Sequence, residues 1–304
     1  MERENGLVVE GIVRDFARIR ALHEVSFEVC PGRMTGFVGA NGAGKTTSMR
    51  IIMGVLAATA GQVHWRGEPV RAEQRRSFGY MPEERGLYPK MQVAEQLRYF
   101  ARLHGADTAE AGHRTDMLLD RLELGDRGGD VLETLSLGNQ QRVQVAAALV
   151  HEPAALVLDE PFRALDPLAV DVMTGLLREQ VEAGVPVLFS SHQLELVERI
   201  CDDLVIIAGG RIVATGTVEE LRRSEGDAYS LHITGHADLD WVSGIDGVRV
   251  LDVDAAGVEQ IVVFEADREG AAHDVLREAL GRGTVQELSR RAPTLAEIFR
   301  ETVA

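Results

Sequence analysis

The chain has 304 residues, 45% hydrophobic and 26% charged, and its 48 acidic side chains outnumber 32 basic ones for a formal net charge of −16. That balance excludes a disordered or collagen-like polymer, and it argues against nucleic acid as the main partner, because such binding rests on clustered Lys and Arg. The length suggests two domains. Only Lys45 and Lys90 are lysines; the other basic residues are arginines. Cys30 and Cys201 lie far apart without a CxxC, which suggests neither a disulfide framework nor a zinc site and is expected of buried reduced thiols. The N-terminus, Met1 to Asn5, is charged where a signal peptide would be apolar, and no segment reaches the ~18 uninterrupted apolar residues needed to span a bilayer. A cytosolic chain without a channel of its own is expected.

Short strands are predicted first: Leu7 to Val13, Val25 to Val29 with period two, and Met34 to Val38. The run Gly39-Ala40-Asn41-Gly42-Ala43-Gly44-Lys45-Thr46-Thr47 opens a helix, Ser48 to Met53, and two strands follow at Gln62 to Trp65 and Ser77 to Met81. From about Gly86 to Glu133 the spacing of Val93, Leu97, Phe100, Ala101 and His104, then of Met117, Leu118 and Leu122, is helical. This reads as a helical insertion in an α/β core. Ala154 to Leu158 and Val185 to Phe189 are continuous apolar runs, as expected of parallel strands covered on both faces. Helices are predicted at about Leu168 to Ala183 and Gln193 to Ile200. A hairpin through Gly209-Gly210 closes this first domain near residue 222.

Residues 225–304 hold 16 acidic and 7 basic side chains, so more than half of the excess charge sits in about a quarter of the chain. Their pattern reads as strand (Ala228 to Ile233), short helix (about Asp238 to Val242), strand (Val248 to Val253), strand (Gln260 to Phe264), helix (Glu269 to Leu280) and strand (Thr284 to Leu288). That order, βαββαβ, is a split βαβ or ferredoxin-like α+β domain. A last helix is predicted at Thr294 to Glu301.

Gly39 to Thr46 satisfies G-x-x-x-x-G-K-[ST]. Glycines let several N–H groups turn toward a phosphate, and the helix start adds its positive dipole end. Lys45 reaches the β and γ phosphates of a nucleotide, the Thr46 hydroxyl suits Mg²⁺, and Thr47 adds a hydroxyl. The apolar strand Ala155-Leu156-Val157-Leu158 ends in Asp159-Glu160, where Asp159 can hold the metal and Glu160 can polarise a water for attack on the γ phosphate.

These motifs resemble the ATP-binding subunits of ABC transporters over residues 1–222. Leu135-Ser136-Leu137-Gly138-Asn139-Gln140-Gln141 is similar to that family's signature loop, Ala164-Leu165-Asp166-Pro167 to its D-loop, and Ser190-Ser191-His192 to its switch histidine. Phe16 is similar to the aromatic that stacks on adenine. The resemblance implies a P-loop NTPase cassette, a mixed α/β sheet core with a helical subdomain at about 86–150, carrying ATP and Mg²⁺. It implies nucleotide contacts from Phe16, Gly39, Asn41, Gly42, Ala43, Gly44, Lys45, Thr46, Thr47, Ser136, Gly138, Asn139 and Asp166. It gives catalysis to Glu160 and His192 and metal binding to Thr46 and Asp159, and Glu83, where this chain departs from the family, is a third candidate metal ligand. Ser136 and the N–H groups of Gly138 and Asn139 would serve the ATP of another subunit, a second copy or a homologous ATPase, in a head-to-tail pair. The membrane permease is then a separate chain, and the protein sits peripherally on the inner face of the membrane.

Two positions depart from the pattern. The signature has Leu137 where glycine is commonest and Asn139 where glutamine is. In Gly79 to Tyr88, Glu83 occupies the usual Q-loop glutamine position, adding a third carboxylate near Asp159 and Glu160; it reads either as a metal-linked switch with pH-sensitive affinity or as a solvated loop acid. Pro82-Glu83-Glu84-Arg85-Gly86-Leu87-Tyr88-Pro89, the signature and Pro293 to Phe299 resemble ATPase components of bacterial sodium-extrusion and drug-resistance exporters. Residues Tyr88 to His104 are the expected docking surface for the permease, although Phe100 reads equally as core. Two alternatives stay open, a soluble ABC ATPase acting on ribosomes or DNA and a regulatory ATP-binding module. One cassette without a heptad run speaks against the first; intact Lys45, Asp159, Glu160 and His192 speak against the second. His232, His236 and His273 are too scattered for a metal site, and residues 225–304 present no catalytic constellation.

Overall fold

The computed structural model describes residues 6–17, 19–84, 86–223, 228–235, 239–254, 259–268 and 270–291. Two compact units divide at Thr217/Val218, so the short helix that ends near the expected residue 222 groups with the second. Among the described residues no helix is long and apolar enough to cross a membrane.

The first unit begins with β1 (Leu7–Phe16) and β2 (Ile19–Val29), a hairpin whose inward positions, including Leu7, Val9, Leu22 and Val25, are buried. β3 (Met34–Val38) leads into α1 (Lys45–Ile52). Then come β4 (Ala60–Trp65), β5 (Glu68–Pro69), α2 (Ala72–Arg75) and β6 (Phe78–Met81). The helical insertion lies between β6 and β7 and holds α3 (Val93–Leu103), α4 (Thr108–Arg121) and α5 (Leu137–Leu149). Asp107 caps α4 by accepting from the Glu110 N–H at 2.9 Å, satisfying a donor that the first turn cannot. β7 (Ala155–Leu158), α6 (Pro167–Glu182), β8 (Val187–Ser191), α7 (Leu194–Ile200), β9 (Asp203–Ala208) and β10 (Arg211–Thr217) complete the unit.

Two sheets result. β2-β1-β4-β5 is antiparallel, and β10-β9-β3-β8-β7-β6 is parallel except for its β10 edge. Every residue of β3, β7 and β8 is buried, which is why β7 and the first three residues of β8 read as continuous apolar runs. One core joins the sheets across α1, with Phe37, Met49, Ile52, Val157, Leu188 and Ile207 among its members. The carboxyl ends of β3, β7 and β8 therefore open on one edge, where open α/β sheets place ligands.

In α3, Val93, Leu97 and Ala101 are buried as the spacing predicts, but His104 is exposed and Phe100 half-buried. The His104 ring stacks on His151, centroids 4.0 Å apart, and burial pushes the His151 imidazole down to about 4, so it sits there neutral. Met117 is likewise exposed, while Leu118 and Leu122 turn inward.

The second unit contains α8 (Val218–Arg223), β11 (Ala228–Thr234), β12 (Val248–Asp254), β13 (Glu259–Ala266), α9 (Ala271–Arg282) and β14 (Thr284–Arg291). Its sheet, β12-β13-β11-β14, is antiparallel throughout, with β13 inserted between β11 and β12 as a split βαβ requires. α9 supplies Ala272, Val275 and Ala279 to a core with Leu231, Val262 and Phe264. The predicted helix at about Asp238 to Val242 is instead a single 3₁₀ turn, Asp240–Gly244. Five residues ending in Ser243-Gly244 are too few to propagate an α-helix. Thr294 to Glu301 lies outside the described residues.

Candidate functional site

The loop from β3 to α1 is shaped by its glycines. A Cβ on Gly39 would stand 2.4 Å from the Ile207 carbonyl oxygen, and Gly44, at φ 113, occupies the left-handed region just before Lys45. The loop wraps a polar cleft of about 350 Å³ lined by Asn41, Gly42, Gly44, Lys45, Thr46 and Thr47 and, from across the sheet, by Glu83, Asp159 and Glu160. Ala43 is buried beneath the loop, its N–H donating to the Ala40 carbonyl at 3.1 Å.

Lys45 is buried, and its ammonium donates to the carbonyls of Gly39 at 2.5 Å and Ala40 at 3.2 Å. Burial lowers its pKa, while the charges of Glu160, Asp159 and Glu83 oppose that shift. Three carboxylates around one ammonium leave the cleft short of positive charge, which suits a divalent cation. Asp159 sharpens that fit. It is 1% exposed; one carboxylate oxygen accepts from the Ser190 hydroxyl at 2.5 Å, and the other, buried, has no hydrogen-bond partner among the described residues. An orphaned buried carboxylate oxygen is costly unless a cation or water meets it. Asp159, Thr46 and Glu83 are the residues that could hold Mg²⁺ here.

Glu160, two residues past the end of β7, has a left-handed backbone, φ 54, a conformation that costs a residue with a Cβ about 1–3 kcal/mol. Its N–H donates to Ser190 Oγ at 2.9 Å, and its Oε2 lies 2.9 Å from His192 Nδ1. An ionised carboxylate only accepts, so Nδ1 carries the hydrogen of that bond. His192 thus reaches the cleft through Glu160. Ser190 fixes both acids at once, a role that sequence reading missed. The available signal was its place at the end of a buried strand adjoining the one that carries them.

Glu83 faces the cleft and pairs with Arg163, 3.2 Å between Oε1 and Nη1. Both side chains are largely solvated, so this pair is worth about 1 kcal/mol at most. The remaining expected residues lie elsewhere on the unit. Phe16, half-exposed at the end of β1, has the Arg14 guanidinium over its ring at 4.5 Å. Ser136 caps α5, its hydroxyl accepting from the Asn139 N–H at 3.3 Å, so that N–H is already engaged. Gly138 runs against the Ala164 carbonyl, 3.0 Å from where a Cβ would stand. Leu137 is exposed, so its departure from glycine causes no clash within the chain. Asp166 caps α6 by accepting from the Ala169 N–H at 2.9 Å. None of Phe16, Ser136, Gly138, Asn139 and Asp166 lines the cleft among the described residues.

A model of the ABC transporter family matches residues 22–163, and a model of the C-terminal domain of DrrA1-3-like ATP-binding proteins matches residues 216–303. The chain is 36% identical to YhaQ, an uncharacterized ABC transporter ATP-binding protein of Bacillus subtilis, over 98% of both chains. It is 37% identical to the Nod factor export ATP-binding protein I of Cupriavidus metallidurans, covering 66% of this chain and 67% of that one. A solved ATP-binding subunit of an ABC transporter superposes with a TM-score of 0.68 at 34% identity, over 72% of this chain and 93% of that one.

Proposed function

The chain belongs to the ATP-binding proteins of ABC transporters, ATPases that drive transport, and from that premise we propose that two copies, or one copy and a homologous subunit, close around two ATP molecules to power export through a separate membrane permease. The observation that carries the reading is the cleft itself: a buried lysine under a glycine loop, an orphaned Asp159 oxygen, and a Glu160 carboxylate held against His192.

Lys45 leaves its loop carbonyls to bind the β and γ phosphates. Glu160 accepts a hydrogen bond from the attacking water and raises the electron density on its oxygen; as that oxygen bonds to the γ phosphorus, the bond from phosphorus to the β–γ bridging oxygen breaks, ADP leaves, and the water's proton passes to the Glu160 carboxylate. His192 steadies that carboxylate through Nδ1; donation from Nε2 to the phosphate at the same time requires the imidazolium. Thr46, Asp159 and Glu83 would hold Mg²⁺, which when bound would supply neutralisation of the phosphate charge. Ser136 and the first turn of α5, which do not line the cleft of their own chain, serve the nucleotide of the facing subunit. Differential affinity for the open and closed pair then moves the permease, which tethers the chain to the inner face of the membrane.

Glu83 tests the metal assignment. Glu83→Gln is expected to raise the Mg²⁺ concentration needed for half-maximal hydrolysis by about tenfold, the equivalent of ~1.4 kcal/mol. An unchanged Mg²⁺ dependence across pH 6 to 8 removes Glu83 from the metal site.

The permease would dock on the helical insertion. Tyr88, Tyr99 and Phe100 form a ring cluster with centroids 5.7 to 6.3 Å apart, beside a groove of about 650 Å³ along α3 and α4. Tyr88 and Tyr99 remain substantially exposed. Affinity purification of the full-length chain from detergent-solubilised membranes is expected to recover a polypeptide with several membrane-spanning helices, and Tyr88→Ala to reduce that recovery severalfold. Recovery of ribosomal or DNA-bound partners instead overturns the transport reading.

A further inference from the structure

Glu160 is held by more than Ser190 and His192. Its backbone is left-handed, and its carbonyl accepts from the Arg163 N–H at 3.2 Å. Gln141, on the first turns of α5, adds a second and shorter donor from outside that turn: Nε2 donates to the Glu160 carbonyl at 2.8 Å and to the Pro161 carbonyl at 3.0 Å. Both partners are acceptors, so the orientation of the amide is fixed and both of its hydrogens are used. The segment that follows has a second left-handed residue, Ala164 at φ 62, and its carbonyl meets α5 again at Gly138. Thus the start of α5 meets both ends of residues 160–164, and every polar group of Glu160 is engaged: Ser190 on its N–H, His192 on its carboxylate, and Gln141 together with the Arg163 N–H on its carbonyl.

We propose that Gln141 is a positioning residue for hydrolysis: its carboxamide holds the Glu160–Pro161 backbone in the conformation that aims the Glu160 carboxylate at the attacking water. The inference rests on the role of Glu160 given above. It also makes Ser136 and Glu160 parts of one hydrogen-bonded piece. On the two-subunit reading these residues serve different nucleotides, so Gln141 ties the two sites together within each chain.

Gln141→Glu keeps the shape but replaces the donor by oxygens facing two carbonyls, whereas Gln141→Lys keeps a donor. In the full-length chain, Gln141→Glu is expected to lower kcat by about 10- to 100-fold, the scale of a small misplacement of a reacting group, while KM and the affinity for a fluorescent ATP analogue stay within about twofold. Gln141→Lys is expected to retain more turnover than Gln141→Glu. Amide hydrogen exchange over residues 159–166 of the nucleotide-free chain is expected to quicken in Gln141→Glu, and adding that change to Glu160→Gln to cost no further turnover. Should Gln141→Glu fail to fold, Gln141→Met, uncharged and without a donor, carries the same comparisons. A kcat within twofold of wild type, unchanged exchange, or an equal loss in the Glu160→Gln background overturns the proposal. The two readings fail separately: full activity in Glu160→Gln removes the role of Glu160 itself, whereas an inactive Glu160→Gln beside a fully active Gln141→Glu removes only Gln141.

Discussion

Glu160→Gln is expected to lower kcat for ATP hydrolysis by about 10²–10⁴-fold, the range spanned by removal of a positioned general base, with ATP still bound. The substitution keeps the size of the side chain, the Ser190 bond to the backbone N–H and an oxygen that can accept from His192 Nδ1. What disappears is the negative charge that polarises the water. Lys45, Thr46 and the loop N–H groups are untouched, so affinity for Mg-ATP stays at or above that of wild type. Phosphate release under saturating ATP, set beside equilibrium binding of a fluorescent analogue, separates the two quantities. Loss of both together would mean that Glu160 supports the fold of the cleft and not the chemistry.

Lys45→Met is expected to act on the other quantity, weakening ATP binding by about 10²-fold, or ~3 kcal/mol, as befits the loss of one partner from a buried charge pair. The lysine stem is already buried, so methionine fills the same space. Its ammonium, stored against the Gly39 and Ala40 carbonyls, is a positive charge confined among Glu83, Asp159 and Glu160. Lys45→Arg is expected to lose nearly as much, because a planar guanidinium does not fit where a slender stem and a point charge do. Equilibrium titration with the ATP analogue measures both variants; affinity within threefold of wild type would place the phosphates elsewhere.

The two variants probe different kinds of sequence information. The loop around Lys45 was legible because all its parts are contiguous: strand, glycines, lysine and helix follow one another, and the backbone proposed to bind phosphate is the backbone that carries the motif. Asp159 and Glu160 were legible from a buried strand that ends in two acids. Ser190 and Gln141 were not, since their roles exist only when a strand 30 residues after Glu160 and a helix 19 residues before it converge on the same peptide. Arg163 likewise reaches Glu83 over 80 residues of chain. In the second unit, alternation and spacing gave the βαββαβ order, but amphipathic spacing over five residues could not distinguish an α-helix from the 3₁₀ turn at Asp240–Gly244. The charge of −16 also misleads if read alone. On the proposed reading an anionic ligand would be met by loop N–H groups and one lysine, so the local field and not the global sum would govern binding.

The head-to-tail pair is the part of the account on which the roles of Ser136, Gly138 and Asn139 depend. Sedimentation equilibrium of the full-length Glu160→Gln chain, with and without Mg-ATP, tests it most directly. Monomers without nucleotide that become dimers carrying two ATP, and that fail to form when Ser136→Ala is added, are the predicted result. A chain that binds ATP to saturation and stays monomeric, or one whose dimer ignores both ATP and Ser136, would contradict it.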